Sequence, residues 1–235
     1  MDSFQGTSFA SWAVSQNMKT AVLVVDQSTS YSIGLARAFK KEFEKQGGKL
    51  LKELKISSGD KDFKAIVSQI NSLNPDLVYM PFYHPEAALL VRQARQIGVK
   101  SQFASGDGVS NDTFIELASD ASNGYLYTDA FDSSNPPTAK SKAFVEAYAK
   151  ENGDSNVPGF TALGADSYYL MVDAMNRCAD GADRECVNKE IKKSKNFEGV
   201  SGIINIDKKG NAERSIVIKE IAGGKAMYKD TVNPK

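Results

Sequence analysis

Residues 20–36 read TAVLVVDQSTSYSIGLA, and this stretch decides the fold. Thr20–Asp26 is a short, Val-rich apolar run with the look of a buried strand. A polar junction follows at once, Asp26-Gln27-Ser28-Thr29-Ser30-Tyr31. From Ile33 to Gln46 the residues Leu35, Ala36, Phe39 and Phe43 keep helical spacing, and Gly47-Gly48 stops the helix. The same unit then recurs. Lys49–Ser57 reads as a second strand, and Gly59-Asp60 opens a helix with the stripe Phe63, Ile66, Val67, Ile70 and Leu73. Leu77–Met80 is a third strand, followed by a helix from Pro85 to Ile97 that Gly98 ends. Gln102–Ala104 is a fourth strand, followed by a helix from Asp112 to Ala118. Gly124–Thr128 is a fifth strand. Strands alternating with helices predict an α/β domain: a parallel sheet with right-handed crossovers.

In such a sheet, every strand-to-helix junction lies on one rim, where open α/β sheets bind ligands. Three junctions carry chemistry: Asp26–Tyr31, Phe82-Tyr83-His84-Pro85-Glu86 and Ser105-Gly106-Asp107-Gly108-Val109. Hydroxyls, aromatic rings and a carboxylate therefore converge on one edge. That collection suits a small zwitterion better than a reaction. Gly106 and Gly108 allow a tight turn that exposes Asp107. The bland alternatives are an Asx-turn at Asp107 and, for Tyr31, a helix start capped by Ser30.

Beyond Asp132-Ser133-Ser134-Asn135-Pro136-Pro137, a linker by composition, the pattern changes. Helical periodicity covers about 138–151, 160–178 and 184–195 with no strand between. Two strands follow, Gly202–Asp207 and Ser215–Ile221, with Lys208-Lys209-Gly210-Asn211 as the hairpin turn. The three helices carry apolar stripes, including Phe144, Tyr148, Tyr168, Tyr169, Val172 and Met175, and the sequence supplies no second sheet for them.

Composition excludes several classes. The chain has 235 residues, is 41% hydrophobic and 25% charged, and has a formal net charge of zero, so nothing points to nucleic acid. No apolar run approaches the roughly 20 residues of a membrane span, and Met1-Asp2-Ser3 does not open a signal peptide. The only histidine is His84 and the only cysteines are Cys178 and Cys186, too few ligands for a zinc site. The two cysteines flank a turn between helices. They either close a disulfide, which would imply an oxidising compartment, or remain reduced thiols on adjacent helices. No nucleophile elbow or P-loop is present. A flavodoxin-like enzyme would need a glycine loop where this chain has Gln27-Ser28-Thr29-Ser30. No catalytic residue, metal or cofactor is expected.

Taken together, these motifs resemble a known family. Asp2–Thr7 (DSFQGT), Asp26–Ser28 with Tyr31–Ala36, Gly59–Phe63, Tyr83–Ala87, Gly106–Gly108, Ala162–Asp166 and Phe197–Gly202 occur in the order and spacing of type I periplasmic solute-binding proteins. The closest group is the branched-chain amino-acid (Leu/Ile/Val) binding proteins of ABC importers. The resemblance implies a non-catalytic, periplasmic receptor that binds a small apolar amino acid between two Rossmann-like lobes by hinge closure and delivers it to a permease. An extracytoplasmic sensing domain of a signalling receptor is the alternative. It implies that residues 4–130 with 202–221 form a complete second lobe, and that 138–195 are helices of an incomplete first lobe whose N-terminal part is missing. It also implies ligand contacts at Tyr31, Tyr83 and Phe160, with Asp107 pairing with the ligand's α-ammonium. On this reading, binding by the chain alone is weak or lost, and the uncovered helices from 138 to 195 invite self-association.

Overall fold

The computed structural model describes residues 2–234 and divides into two units. The larger spans residues 2–129 and 218–232, the smaller 130–217 with 233–234. The chain opens with α1 (Asp2–Ser15), then β1 (Thr20–Asp26), α2 (Ser30–Lys45), β2 (Lys49–Ile56) and α3 (Lys64–Leu73). Next come β3 (Leu77–Tyr79), α4 (His84–Gln96), β4 (Gln102–Ser105), α5 (Asp112–Ala118) and β5 (Leu126–Asp129). The smaller unit holds α6 (Ala139–Asn152), α7 (Gly159–Asn176), α8 (Arg184–Lys192), β6 (Phe197–Glu198), β7 (Ile203–Ile206) and β8 (Ala212–Glu213). Strands β9 (Ile216–Ala222) and β10 (Lys225–Val232) complete the sheet of the larger unit.

That sheet has the order β10-β9-β5-β4-β3-β1-β2. The pairs β1–β2, β1–β3, β3–β4 and β4–β5 are parallel. Helices cover both faces, so alternate β1 residues enter two cores. Val22 and Val24 pack with Phe63, Val67, Leu90, Val91 and Phe114. Ala21, Leu23 and Val25 pack with Phe9, Trp12, Leu35, Phe39 and Phe43. This double burial is why β1 reads as a continuous apolar run rather than an alternating one. In the second core, Phe39 stacks on Tyr79 at 4.1 Å and on Phe43 at 5.1 Å. Each fully buried ring of this kind contributes roughly 1.5–3 kcal/mol by burial.

Two elements were not legible in the periodicity. Helix α1 is rich in Ser and Thr, which favour helices weakly. It forms because Phe9, Ala10, Trp12 and Ala13 are buried, and because Gly6 lets it lie close against α2, where a Cβ would stand 2.6 Å from the Leu35 carbonyl oxygen. Strand β10 is an edge strand joined to β9 by Gly223-Gly224, both with positive φ, a turn that favours hairpins.

The hairpin expected from 202–207 to 215–221 is corrected. Strand β7 pairs antiparallel with β6 and β8 in a separate three-stranded sheet of the smaller unit, and only β9 joins the large sheet. The turn at 207–211 does reverse the chain, with the Asp207 carboxylate accepting from the Lys209 and Asn211 amides, but it leads into β8. The smaller unit thus holds a small antiparallel sheet besides its helices. A third core of Ala130, Phe131, Val157, Ala162 and Val200 lies there, with Phe144, Tyr148 and Tyr169 against it. Cys178 and Cys186 form a disulfide with Cα atoms 6.0 Å apart, closing the turn from α7 to α8.

Candidate functional site

The parallel register places the carboxyl ends of β1, β3 and β4 side by side, and the three chemistry-bearing junctions leave from that edge. Tyr31 lies in the first turn of α2. The cap of that helix is Thr29, whose hydroxyl accepts from the Ser32 amide, rather than Ser30. Tyr83 holds extended backbone just before α4, which starts with Pro85 in its first turn. Asp107 opens a single 3-10 turn over residues 107–109 after β4.

Side chains join these junctions. The Tyr31 hydroxyl donates to Asp107 Oδ1 at 3.0 Å and accepts from the Gly108 amide at 2.8 Å. The rings of Tyr31 and Tyr83 stack at 5.0 Å between centroids, with planes 20° apart. Tyr83 is 45% exposed, so its ring is a surface onto which a ligand can pack. The glycines are required by close approach: a Cβ on Gly106 would stand 2.6 Å from Tyr31 Oη, and one on Gly108 would stand 3.0 Å from the Phe82 carbonyl oxygen.

Burial raises the Tyr31 phenol above the ordinary tyrosine range, and the neighbouring Asp107 carboxylate raises it further. The hydroxyl therefore stays protonated and acts as a hydrogen-bond donor, not a base. Burial likewise raises Tyr79, again with a contribution from Asp107. Asp26, at the end of β1, behaves differently. Burial opposes its charge, but hydrogen bonds from Ser28 and Ser58 outweigh burial and hold its carboxyl below the usual range. Those bonds tie the β1 and β2 junctions together, with Ser58 Oγ 2.5 Å from Asp26 Oδ2. Glu86 adds a bond from the Gly59 amide at 2.8 Å.

A carboxylate flanked by aromatic rings can hold an organic cation by charge-assisted hydrogen bonding and ring contact. Tyr31, Tyr83 and Asp107 are thus brought into one network. Phe160 lies on α7 in the smaller unit, 59% exposed, and that network does not include it. His84, the junction's remaining titratable side chain, lies 3.3 Å from the Asn111 amide nitrogen.

One participant escaped the sequence reading. Gln5 of α1 is buried, and its side chain bonds both the carboxylate and the backbone amide of Asp107. Its only signal was its place inside the DSFQGT motif.

The periplasmic binding protein family profile matches residues 2–225. A leucine-, isoleucine-, valine-, threonine- and alanine-binding protein of Pseudomonas aeruginosa is 31% identical over 211 residues, covering 90% of this chain and 55% of the relative. The crystal structure of a leucine binding protein from Thermotoga maritima superposes with a TM-score of 0.93 at 37% identity, covering 100% of this chain and 66% of that one. A branched-chain amino acid transporter substrate binding protein of Streptococcus pneumoniae, solved in complex with isoleucine, gives 0.86 at 27% identity, with coverage of 100% and 66%. The chain thus spans about half the length of the curated relatives it matches.

Proposed function

Because the chain belongs to the periplasmic binding protein family, whose members are solute-binding proteins and not enzymes, we propose that its rim of Tyr31, Tyr83 and Asp107 recognises a small apolar amino acid on behalf of an ABC importer. One observation carries this reading: a carboxylate held at the carboxyl edge of a parallel sheet by a protonated tyrosine that itself stacks on an exposed aromatic ring. In this reading Asp107 accepts from the α-ammonium and the Tyr83 ring packs on the aliphatic part of the ligand. The names of the relatives, which bind leucine, isoleucine and valine, support that ligand class.

The accompanying motion we propose is hinge closure about the chain crossings at residues 129–130 and 217–218. A site outside the cytoplasmic membrane fits the disulfide, and among the described residues no helix is long and apolar enough to cross a membrane. We also propose self-association of the chain through α7. Phe160, Tyr168, Met171 and Met175 are exposed, and helical geometry places them within an arc of about 80°.

The binding proposed for the chain alone is weak rather than lost, so the test is a thermal-shift panel of the twenty amino acids at millimolar concentrations high enough to load a weak site. Ligand at ten times its Kd adds about 1.4 kcal/mol to folding, which is a visible shift. Leucine, isoleucine and valine should raise the midpoint, while aspartate and lysine should not. A panel with no response, or one led by charged amino acids, would overturn the assignment.

A further inference from the structure

We propose that Gln5 is the positioning residue for Asp107, fixing the direction in which that carboxylate faces its ligand. The proposal rests on the amino-acid reading above, but it has a readout that needs no ligand.

The geometry is a two-point clamp. Gln5 Nε2 donates to Asp107 Oδ2 at 2.8 Å, and Gln5 Oε1 accepts from the Asp107 backbone amide at 3.3 Å. The same Oε1 accepts from the Thr128 hydroxyl of β5 at 2.6 Å. Donor and acceptor roles follow without ambiguity. A carboxylate only accepts and a backbone N–H only donates, so the amide must present NH2 to the carboxylate and oxygen to the N–H. Both Gln5 and Thr128 are buried. Tyr31 then grips the other oxygen, Oδ1, so each carboxylate oxygen has a donor from a different helix.

A carboxylate on an open turn can rotate about its side-chain torsions, and holding it would fall to the ligand. With Gln5 on one oxygen and Tyr31 on the other, that ordering is built into the free protein, so less is lost on binding. Helix α1 is held for this task. Gly6 seats it on α2, and the Trp12 indole donates to Asp230 of β10 at 2.7 Å.

Among the described interactions, Tyr31 from α2 and Tyr79 from β3, both held protonated, are titratable groups coupled to Asp107. Next to Thr128, Asp129 of β5 pairs with Lys219 of β9 at 3.2 Å. Along α1, Glu42 of α2 meets Ser11, and Asp230 meets Trp12, about two turns from Gln5.

The experiment titrates the Asp107 carboxyl carbon by NMR in the unliganded parent chain, in Gln5→Met and in Gln5→Glu. Methionine fills the same space without a donor, so Asp107 should titrate at higher pH than in the parent. Glutamate places a second carboxyl against Oδ2, so the pair should titrate in two separated steps, one raised. Leucine-induced shifts at Gly106 and Gly108 should then require about tenfold more ligand in Gln5→Met. An unchanged Asp107 titration in folded Gln5→Met, or independent titration in Gln5→Glu, would overturn the positioning role. A parent chain that ignores leucine while Gln5→Met still shifts Asp107 would refute the amino-acid reading and leave the clamp standing.

Discussion

Gly106→Ala tests the rim network without touching a polar atom. Gly106 has φ −84° and ψ −164°, extended backbone that alanine adopts freely, so the substitution adds no backbone strain. The added methyl would stand 2.6 Å from Tyr31 Oη, and its next neighbours are the Leu35 methyls at 3.3 Å. The hydroxyl must therefore move, and it carries two bonds, one to the Asp107 carboxylate and one from the Gly108 amide. A bond to a charged group is worth about 1.5–3 kcal/mol and a neutral one about 0.5–1.5. The expected loss on urea denaturation is therefore about 2–4 kcal/mol. Tyr31→Phe removes the same two bonds without the clash and should cost about 2 kcal/mol. In the Tyr31→Phe background the 2.6 Å contact is gone, so Gly106→Ala should cost under about 1 kcal/mol there. The double-mutant cycle should show coupling of at least about 1 kcal/mol. Strictly additive effects would mean that the Tyr31 hydroxyl does not hold the turn, and the reasoning would fail.

The buried pair Lys219–Asp129, which also receives the Ser110 hydroxyl at 2.6 Å, should resist single substitution. Lys219→Met removes this cation from the buried Asp129 carboxylate and should lower stability by up to about 3–5 kcal/mol in chemical denaturation, with part of it recovered when Asp129→Asn is added. Acid stability should reflect the depressed carboxyls. Asp26 and Asp76 ionise below their ordinary range in the folded chain because hydrogen bonds outweigh burial. Their stabilisation is therefore complete above the ordinary carboxylate range and is lost as the pH falls through about 4 and below. Asp26→Asn should flatten that acid limb in pH-dependent denaturation. Light scattering coupled to size-exclusion chromatography should show concentration-dependent association. The double substitution Tyr168→Lys with Met171→Lys should abolish it, because it places two charges in the exposed α7 face.

What the sequence disclosed follows from where burial is strong and local. The βαβ rhythm was legible because β1, β3 and β4 are covered on both faces, which leaves uninterrupted apolar runs, and because α2, α3 and α4 carry clear apolar stripes. The rim was legible because topology alone assigns every junction to one edge. Helix α1 was not, since its buried face mixes Gln5, Gly6 and Ser8 with aromatics and is recognisable only once α2 lies against it. The fate of Ile203–Ile206 was misread because alternating strand residues do not specify a partner. Pairing was decided by Phe197–Glu198 and Ala212–Glu213, two strands of two residues each, too short to show periodicity. Gln5 was missed as a site residue for a related reason. A buried glutamine 102 positions from its partner has no local signature.

The central claim is that Asp107 reads an ammonium group. Amide NMR of the chain, titrated in parallel with leucine and with 4-methyl-2-oxopentanoate, the keto acid that differs at that group, measures this directly. Gly106 and Gly108 should shift with leucine and stay still with the keto acid, and Asp107→Asn should silence both. Equal shifts from the two compounds, persisting in Asp107→Asn, would contradict it.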